Sequence, residues 1–350
     1  MKILHLIDSL DYGGAETLLT SYLPLLNDVE HIVVTLNGPN VYTVTNWDYR
    51  QLSIKTKKQF FQAVILIRKI IKQERVDIVH AHSYLTNIIS RFACPDHVKL
   101  FNHYHFADYD TMKSKRSVKG MILIDRLTAK RKLTRIAVSA YVAKILSENF
   151  PKTAIEVVPN FITATPLTQP DRQSRSSNTL QVVAVGNCNL EKNYDFLIRV
   201  FKALESAPIT LDIYGGGPKL AFYRKQVATL GLTNVRFCGP DSDIRMKLPT
   251  YDLFLSASTS ETFGIVVLES VAAKLPLLLS NIPAFREIAP NGSEFFNPTD
   301  ENDLHRKLLQ FINEPKNIDV SSYKQVMNRY SDTNFIRNLR EVYNKYLCVE

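Results

Sequence analysis

Two Rossmann-like α/β domains, each a doubly wound parallel sheet, are what the sequence predicts, and three observations carry that prediction. The chain has 350 residues, 45% hydrophobic and 22% charged, which is material for two cores at roughly 100–200 residues per domain. Short apolar runs alternate with segments of helical spacing, the pattern of a parallel sheet covered on both faces. The alternation stops over 163–179, a polar, aperiodic stretch holding Pro166 and Pro170, and then restarts.

In the first half the runs predict strands at 2–7, 31–36, 78–81, 99–103, 136–138 and 155–158. Between them lie helices at 15–26, 60–73, 85–92 and 141–149; Val64, Ile67, Ile70 and Ile71 give the second of these its apolar side. In the second half strands are predicted at 180–185, 210–214, 235–238, 253–256 and 277–279, with helices at 194–204, 221–230, 264–274 and 303–313. The expected organisation is an N-terminal domain over 1–165, a linker over 166–179 and a C-terminal domain over 180–332. A final amphipathic helix over 333–350 is expected to cross back to the first domain. Two such sheets facing each other make a cleft at the carboxyl ends of their strands, where open α/β sheets bind ligands.

Of the net charge of +9, residues 1–165 carry +8, with 22 Lys/Arg against 14 Asp/Glu. A basic half points to an anionic partner: a membrane, a phosphate-bearing substrate or nucleic acid. Nucleic acid is set aside, because neither stacking aromatics nor a known module is visible. Residues 112–135 hold Lys113, Lys115, Arg116, Lys119, Arg126, Lys130, Arg131, Lys132 and Arg135 against the single acid Asp125. Met121, Ile122, Ile124 and Leu127 are interleaved. Such a segment reads as a surface for anionic lipid or as a solvated charged helix. No run reaches the roughly 18 apolar residues that span a bilayer. The N-terminal apolar run is too short for a signal peptide and lacks a cleavage site. A cytoplasmic protein, peripheral on the inner face of the cell membrane, is expected. Cys94, Cys188, Cys238 and Cys348 form no CxxC pair, so neither a zinc motif nor a disulfide framework is expected.

The chemistry concentrates in the second half. The segment from Asp252 to Ser270 reads as strand, loop, then helix, with Glu261 in the loop and Glu269 in the helix. Gly264 lets a backbone approach a ligand where the helix starts. The amides around Phe263, Gly264 and Ile265 are free donors aided by the helix dipole, which suits a diphosphate. Glu269 can accept two hydrogen bonds from a ribose diol, or it is a solvated helix face and Glu261 merely favours the dipole. Its flanking residues Val266, Val267, Leu268 and Val271 make a paired or functional carboxylate the natural reading.

This segment resembles the Glu-x7-Glu signature of family 4 retaining glycosyltransferases, which have the GT-B fold. Val185-Gly186-Asn-Cys-Asn-Leu-Glu191-Lys192 is similar to that family's Gly-Arg-Leu-x-x-x-Lys strand end, Gly215-Gly216-Gly217-Pro218 to its Gly-x-Gly-Pro, and Val235-Arg-Phe-Cys-Gly239 to its base-framing strand. In the first half Gly13-Gly14-Ala15-Glu16, Asp77-Ile-Val-His80-Ala-His82, Ala137-Val138-Ser139 and Val157-Val158-Pro159-Asn160 resemble family landmarks in the same order. The resemblance implies a retaining enzyme that moves a sugar from a nucleotide-sugar donor, a UDP-sugar above all, to a glycan or lipid-linked glycan acceptor in surface-polysaccharide synthesis. It implies no cofactor and no metal. Glu269 would bind the ribose, Glu261 the donor sugar, Lys192 the diphosphate, and Gly14 would bring backbone amides to phosphate or sugar. Asn187, Gly215 and Phe237 complete the implied donor set. His105 best fits the family histidine that reaches the donor sugar, with His103 second. The resemblance departs at Asn187, where the family has Arg, so one phosphate-binding cation is missing. It departs again at Lys274, where a small residue is usual.

Rival readings are a nucleotide-sugar epimerase and a non-catalytic nucleotide-sugar-binding protein on the same scaffold. A dinucleotide-dependent oxidoreductase is disfavoured, because Asp8 to Gly14 is not G-x-G-x-x-G. A metal site at His103, His105 and Asp108 is the rival reading of that histidine-rich stretch.

Overall fold

The computed structural model describes residues 1–11, 13–43, 47–105, 116–129, 133–163, 179–314 and 316–347. The chain divides into two compact units: Met1–Phe161 with Asp332–Glu350, and Ile162–Ser331. The predicted linker lies almost wholly outside the described residues.

The first unit contains β1 (Lys2–Ile7), β2 (Glu30–Thr35), β3 (Asp48–Gln51), β4 (Ile78–Ala81), β5 (Lys99–Tyr104), β6 (Leu133–Ala137) and β7 (Ala154–Val157). They form one parallel sheet in the order β3-β2-β1-β4-β5-β6-β7. The second unit contains β8 (Leu180–Val185), β9 (Ile209–Tyr214), β10 (Val235–Gly239), β11 (Leu253–Ser256), β12 (Leu277–Ser280) and β13 (Glu294–Phe296). Its parallel sheet runs β10-β9-β8-β11-β12-β13. Both are doubly wound, and the order reverses between β1 and β4 in one and between β8 and β11 in the other. Ligands of such sheets bind at the carboxyl ends beside those reversals.

Period-two alternation sorts the first sheet's residues onto two faces. Ile3 and Ile7 of β1 join Val33, Ile78, Phe101 and Ile136 in one core. Leu4 and Leu6 join Val34, Val79 and Leu100 in the other. The last helix, Asp332–Leu347, adds Phe335, Leu339, Val342 and Tyr343 to the first of these cores. Arg340 pairs with Asp28 at 2.5 Å and Lys345 with Glu156 at 2.6 Å, tying the rim of that helix to the same unit.

Several elements were not foreseen from the pattern. β3 reads Asp-Tyr-Arg-Gln, a polar edge strand with no apolar run. β13, the short helix Pro283–Ile288 and the helix Val320–Arg329 were also missed. β6 begins at Leu133 rather than 136, because Thr134 and Arg135 occupy buried strand positions that composition marks as surface.

Arg135 also corrects the reading of the basic segment. Its guanidinium is fully buried and bonds Asp125 Oδ1 at 2.8 Å, the same oxygen that Arg91 meets at 2.6 Å. Tyr104 completes the network, donating to Asp125 at 3.0 Å and accepting from Arg91 and Arg135. The helix Arg116–Thr128 is thereby fastened through Asp125, while Lys119, Leu123, Ile124 and Leu127 remain exposed. Arg126 folds back to the Asn149 carbonyl at 2.9 Å. Lys113, Lys115, Lys130, Arg131 and Lys132 lie outside the described residues. Among the described residues no helix is long and apolar enough to cross a membrane.

Candidate functional site

The carboxyl ends of β8 and β11 bring the main candidates of the second unit together. β8 ends in Val185, and the loop from Gly186 leads to Lys192; β11 ends in Ser256, and its loop carries Ser258 and Glu261. Lys192 Nζ meets Glu261 Oε1 at 2.5 Å, with both side chains mostly shielded from solvent. Ser258 donates to the same oxygen at 2.9 Å. Ser280 at the end of β12 donates to the Ser258 carbonyl at 2.5 Å, and the Thr259 amide donates to the Glu191 carbonyl at 2.8 Å. The two loops are therefore cross-linked through their backbones, which holds the Lys192–Glu261 pair in place.

Glycines make this crowding feasible. A Cβ on Gly215 would lie 2.0 Å from the Gly186 carbonyl oxygen, where φ is +144°, so the β8 and β9 loops approach as only glycine allows. A Cβ on Gly186 would meet the Lys192 Cε at 2.7 Å, so the lysine stem lies across that glycine. Asn187 is exposed beside them and supplies no cation.

Gly264 caps the helix Ile265–Ala272 at φ +91°, and a Cβ there would strike Phe285 at 2.8 Å. The N–H groups of Phe263, Gly264 and Ile265 have no hydrogen-bond partner among the described residues. The ring of Phe263 is buried against Tyr330 and that of Phe237 is stacked on Tyr223. Both rings belong to the core, so each can offer a ligand only its backbone.

Glu269 stands on the outer side of that helix with about a fifth of its side chain exposed. Burial raises its pKa, and the Arg245 guanidinium, 3.7 Å away, opposes that shift. Arg245 also donates to the Thr163 carbonyl at 3.1 Å. Neither Arg245 nor Ser258 was singled out from the sequence. Arg245 lies in a four-residue helix, Ile244–Lys247, with no periodic relation to Glu269, and only folding sets the two side by side.

In the first unit, Gly14 opens the helix Gly14–Tyr22 and is exposed, with open space where a Cβ would stand. A Cβ on Gly13 would strike the Glu16 carboxylate at 2.1 Å. Asp8 follows β1 at the reversal beside β4; burial raises its pKa to about 6, and a Thr86 amide moderates the shift. His103 is fully buried at the end of β5 and His105 lies just beyond it, partly accessible. Their rings sit 4.2 Å apart on one side of the strand, while Tyr104 faces the Arg91–Asp125 network on the other. Asp108 lies outside the described residues. Burial lowers the pKa of His105 to about 3. Burial first and then neighbouring rings lower those of His5, His80, His82 and His103.

The second unit thus gathers a cation, a carboxylate and free helix-start amides at its strand reversal, the place where open α/β sheets bind ligands and an arrangement that suits a phosphate group. Residues 12–165 match the family described as Glycosyltransferase Family 4, and residues 168–329 match Glycosyl transferases group 1. The chain belongs to family 4 of the glycosyltransferases and has the GT-B fold. Among its relatives is an uncharacterized 41.2 kDa protein in the cps region of Klebsiella pneumoniae, 23% identical over 99% of this chain and 100% of that one. Another is the phosphatidylinositol N-acetylglucosaminyltransferase GPI3 subunit of Saccharomyces cerevisiae, 23% identical over 94% of this chain and 75% of its own. The crystal structure of Anabaena Alr3699/HepE with UDP and glucose superposes with a TM-score of 0.81 at 18% identity, covering 99% of this chain and 100% of that one.

Proposed function

We propose that the protein is a retaining glycosyltransferase that moves a sugar from a UDP-sugar to a hydroxyl of a glycan or lipid-linked glycan in surface-polysaccharide synthesis, with no metal at the donor diphosphate. The observation that carries the reading is the Lys192–Glu261 pair beside the free amides of Phe263, Gly264 and Ile265. Breaking a glycosyl–phosphate bond builds negative charge on the leaving phosphate, and a fixed cation with oriented N–H groups stabilises that charge without reorganising. The anomeric carbon takes on oxocarbenium character. The acceptor oxygen forms its bond on the face the phosphate leaves, and the acceptor proton passes to the departing phosphate oxygen. Glu269 binds the ribose hydroxyls, Glu261 orients a sugar hydroxyl, and Gly215 with Asn187 lines the nucleotide side. His105 and Gly14 are assigned to the sugar and phosphate.

A UDP donor is favoured by the UDP complex of the Anabaena protein. The yeast relative, a phosphatidylinositol N-acetylglucosaminyltransferase subunit, puts N-acetylglucosamine and a lipid acceptor first among the candidates. The helix Arg116–Thr128, with Leu123, Ile124 and Leu127 exposed beside Lys119, suits an anionic membrane surface where such an acceptor would reside. The test is a panel of UDP- and GDP-sugars without added Mg²⁺ or Mn²⁺, scored for nucleotide release and for the anomeric configuration of the product. Release from a UDP-sugar with the α configuration kept is expected. An inverted product, or release that begins only on adding Mg²⁺ or Mn²⁺, would overturn the reading. Flotation with liposomes tests the membrane part: binding that ignores anionic lipid content counts against it.

A further inference from the structure

Six histidines of the first unit line one buried face, and strand register puts them there. His5 of β1 pairs with His80 of β4, and His31 follows Glu30 on β2. His82 lies two residues beyond His80, and His103 and His105 lie two and four beyond Phe101, the partner of His80. Period two keeps each pair on the same side.

Their hydrogen bonds set the tautomers in order. The Leu26 carbonyl can only accept, so His31 donates to it from Nε2 at 3.2 Å, leaving Nδ1 as a lone pair. His5 Nε2 then donates to His31 Nδ1 at 3.1 Å, and His5 Nδ1 becomes an acceptor. His82 Nε2 donates to it at 3.3 Å. The relay ends with a bare lone pair on His82 Nδ1, which is buried and has no partner among the described residues. Both ring nitrogens of His103 and Nε2 of His105 are likewise buried without partners among the described residues. A buried imidazole nitrogen left unpaired is destabilising, and this trio gathers four.

We propose that His82, His103 and His105 bind one borderline divalent transition-metal ion, of which Zn²⁺ is the natural probe. Ligand nitrogens of the three lie within 4.8 Å of one another. With metal–nitrogen bonds of about 2.0–2.1 Å a tetrahedral site needs them ~3.3 Å apart, so binding an ion would draw the rings of His103 and His105 inward. Three neutral imidazoles form a ligand set suited to Zn²⁺. His82 donating its other N–H to His5 is the outer-shell contact that metal-binding histidines make. The neighbouring trio of His5, His80 and His82 is a weaker candidate, because both nitrogens of His5 are engaged by His31 and His82 and His80 Nδ1 meets Tyr343. The ion would fix the ring of His105 through Nε2 and leave Nδ1 for the substrate. This goes beyond the proposed transfer, whose diphosphate chemistry lies in the second unit.

The test uses the full-length protein purified without a histidine tag, stripped with chelator and reloaded with Zn²⁺. One Zn²⁺ per chain should survive gel filtration, Zn²⁺ should raise the thermal midpoint, and Co²⁺ should give the visible absorption of a tetrahedral site. His103→Gln and His105→Ala should lose the ion and the thermal response, while His97→Ala, at an exposed histidine, should keep both. Wild-type protein that is folded by circular dichroism yet holds no stoichiometric Zn²⁺ and shows no Zn²⁺-dependent midpoint would overturn the site. So would either ligand variant retaining the ion. UDP-sugar binding by calorimetry in the same samples reports separately on the second unit.

Discussion

In the proposed transfer Lys192 and Glu269 have two different tasks, and kinetics can separate them. Glu269 is a half-buried carboxylate beside Arg245, suited to hydroxyls that are the same before and during reaction. Its removal should weaken binding of the donor by about 2–3 kcal/mol, roughly 30-fold or more, with little further loss in kcat. Lys192 faces charge that grows as the bond breaks, so Lys192→Ala should cost about 10²–10³ in kcat. Calorimetry of UDP with single-turnover kinetics checks both, and unchanged UDP affinity in Glu269→Ala sinks the ribose assignment. Asp8 supplies a pH test. Its folded pKa, about 6, is above its ordinary 3.8. The folded protein therefore keeps this proton longer than the unfolded chain, and the stability it contributes is present below pH ~4 and lost as pH rises through about 6. Asp8→Asn, which cannot ionise, should be more stable than wild type above pH ~6 by up to about 3 kcal/mol and close to it near pH ~4. Thermal melts at the two pH values decide; a gap that ignores pH refutes the assignment.

At the scale of the element, the helix Arg116–Thr128 is held by one acid inside a basic stretch. Asp125 is buried between Arg91 and Arg135, and Tyr104 bonds all three. Deleting one partner of such a group leaves uncompensated charge, at a cost of about 3–5 kcal/mol. Asp125→Ala should lower stability by that order in chemical denaturation, and a loss within the error of a surface substitution would show that the network contributes little. Leu123 and Leu127 are exposed on the same helix. Leu123→Ser with Leu127→Ser should leave stability unchanged and weaken flotation with anionic liposomes.

At the scale of the molecule, the first unit is built from both ends of the chain. The helix Asp332–Leu347 places Phe335, Leu339, Val342 and Tyr343 in the core that holds Ile3 and Phe101. Four large side chains leaving a core at about 1.5–3 kcal/mol each cost an amount comparable with the whole stability of a marginally stable unit. A chain ending at Ser331 should therefore lose the protection of β1 and β4 in hydrogen exchange while β8 and β11 keep theirs. Equal protection of β1 with and without the helix would show that the first unit stands alone.

Alternating apolar runs pointed to two parallel α/β units, because a strand buried on both faces reads as a short continuous apolar run and a helix buried on one face as a 3.6-residue period. Glu261, Gly264 and Glu269 were legible from their places around a helix start, and Lys192 and Gly215 through the resemblance of their strand ends to a family's motifs. Polar elements escaped. β3 has no apolar run, and β6 hides Arg135 in a buried position because Asp125, ten residues earlier, neutralises it. Arg245 beside Glu269, Ser258 under Glu261, and the six histidines gathered from β1, β2, β4 and β5 were decided by tertiary structure alone. Their meaning lies in distances between residues far apart in the chain, and strand order and register set those distances.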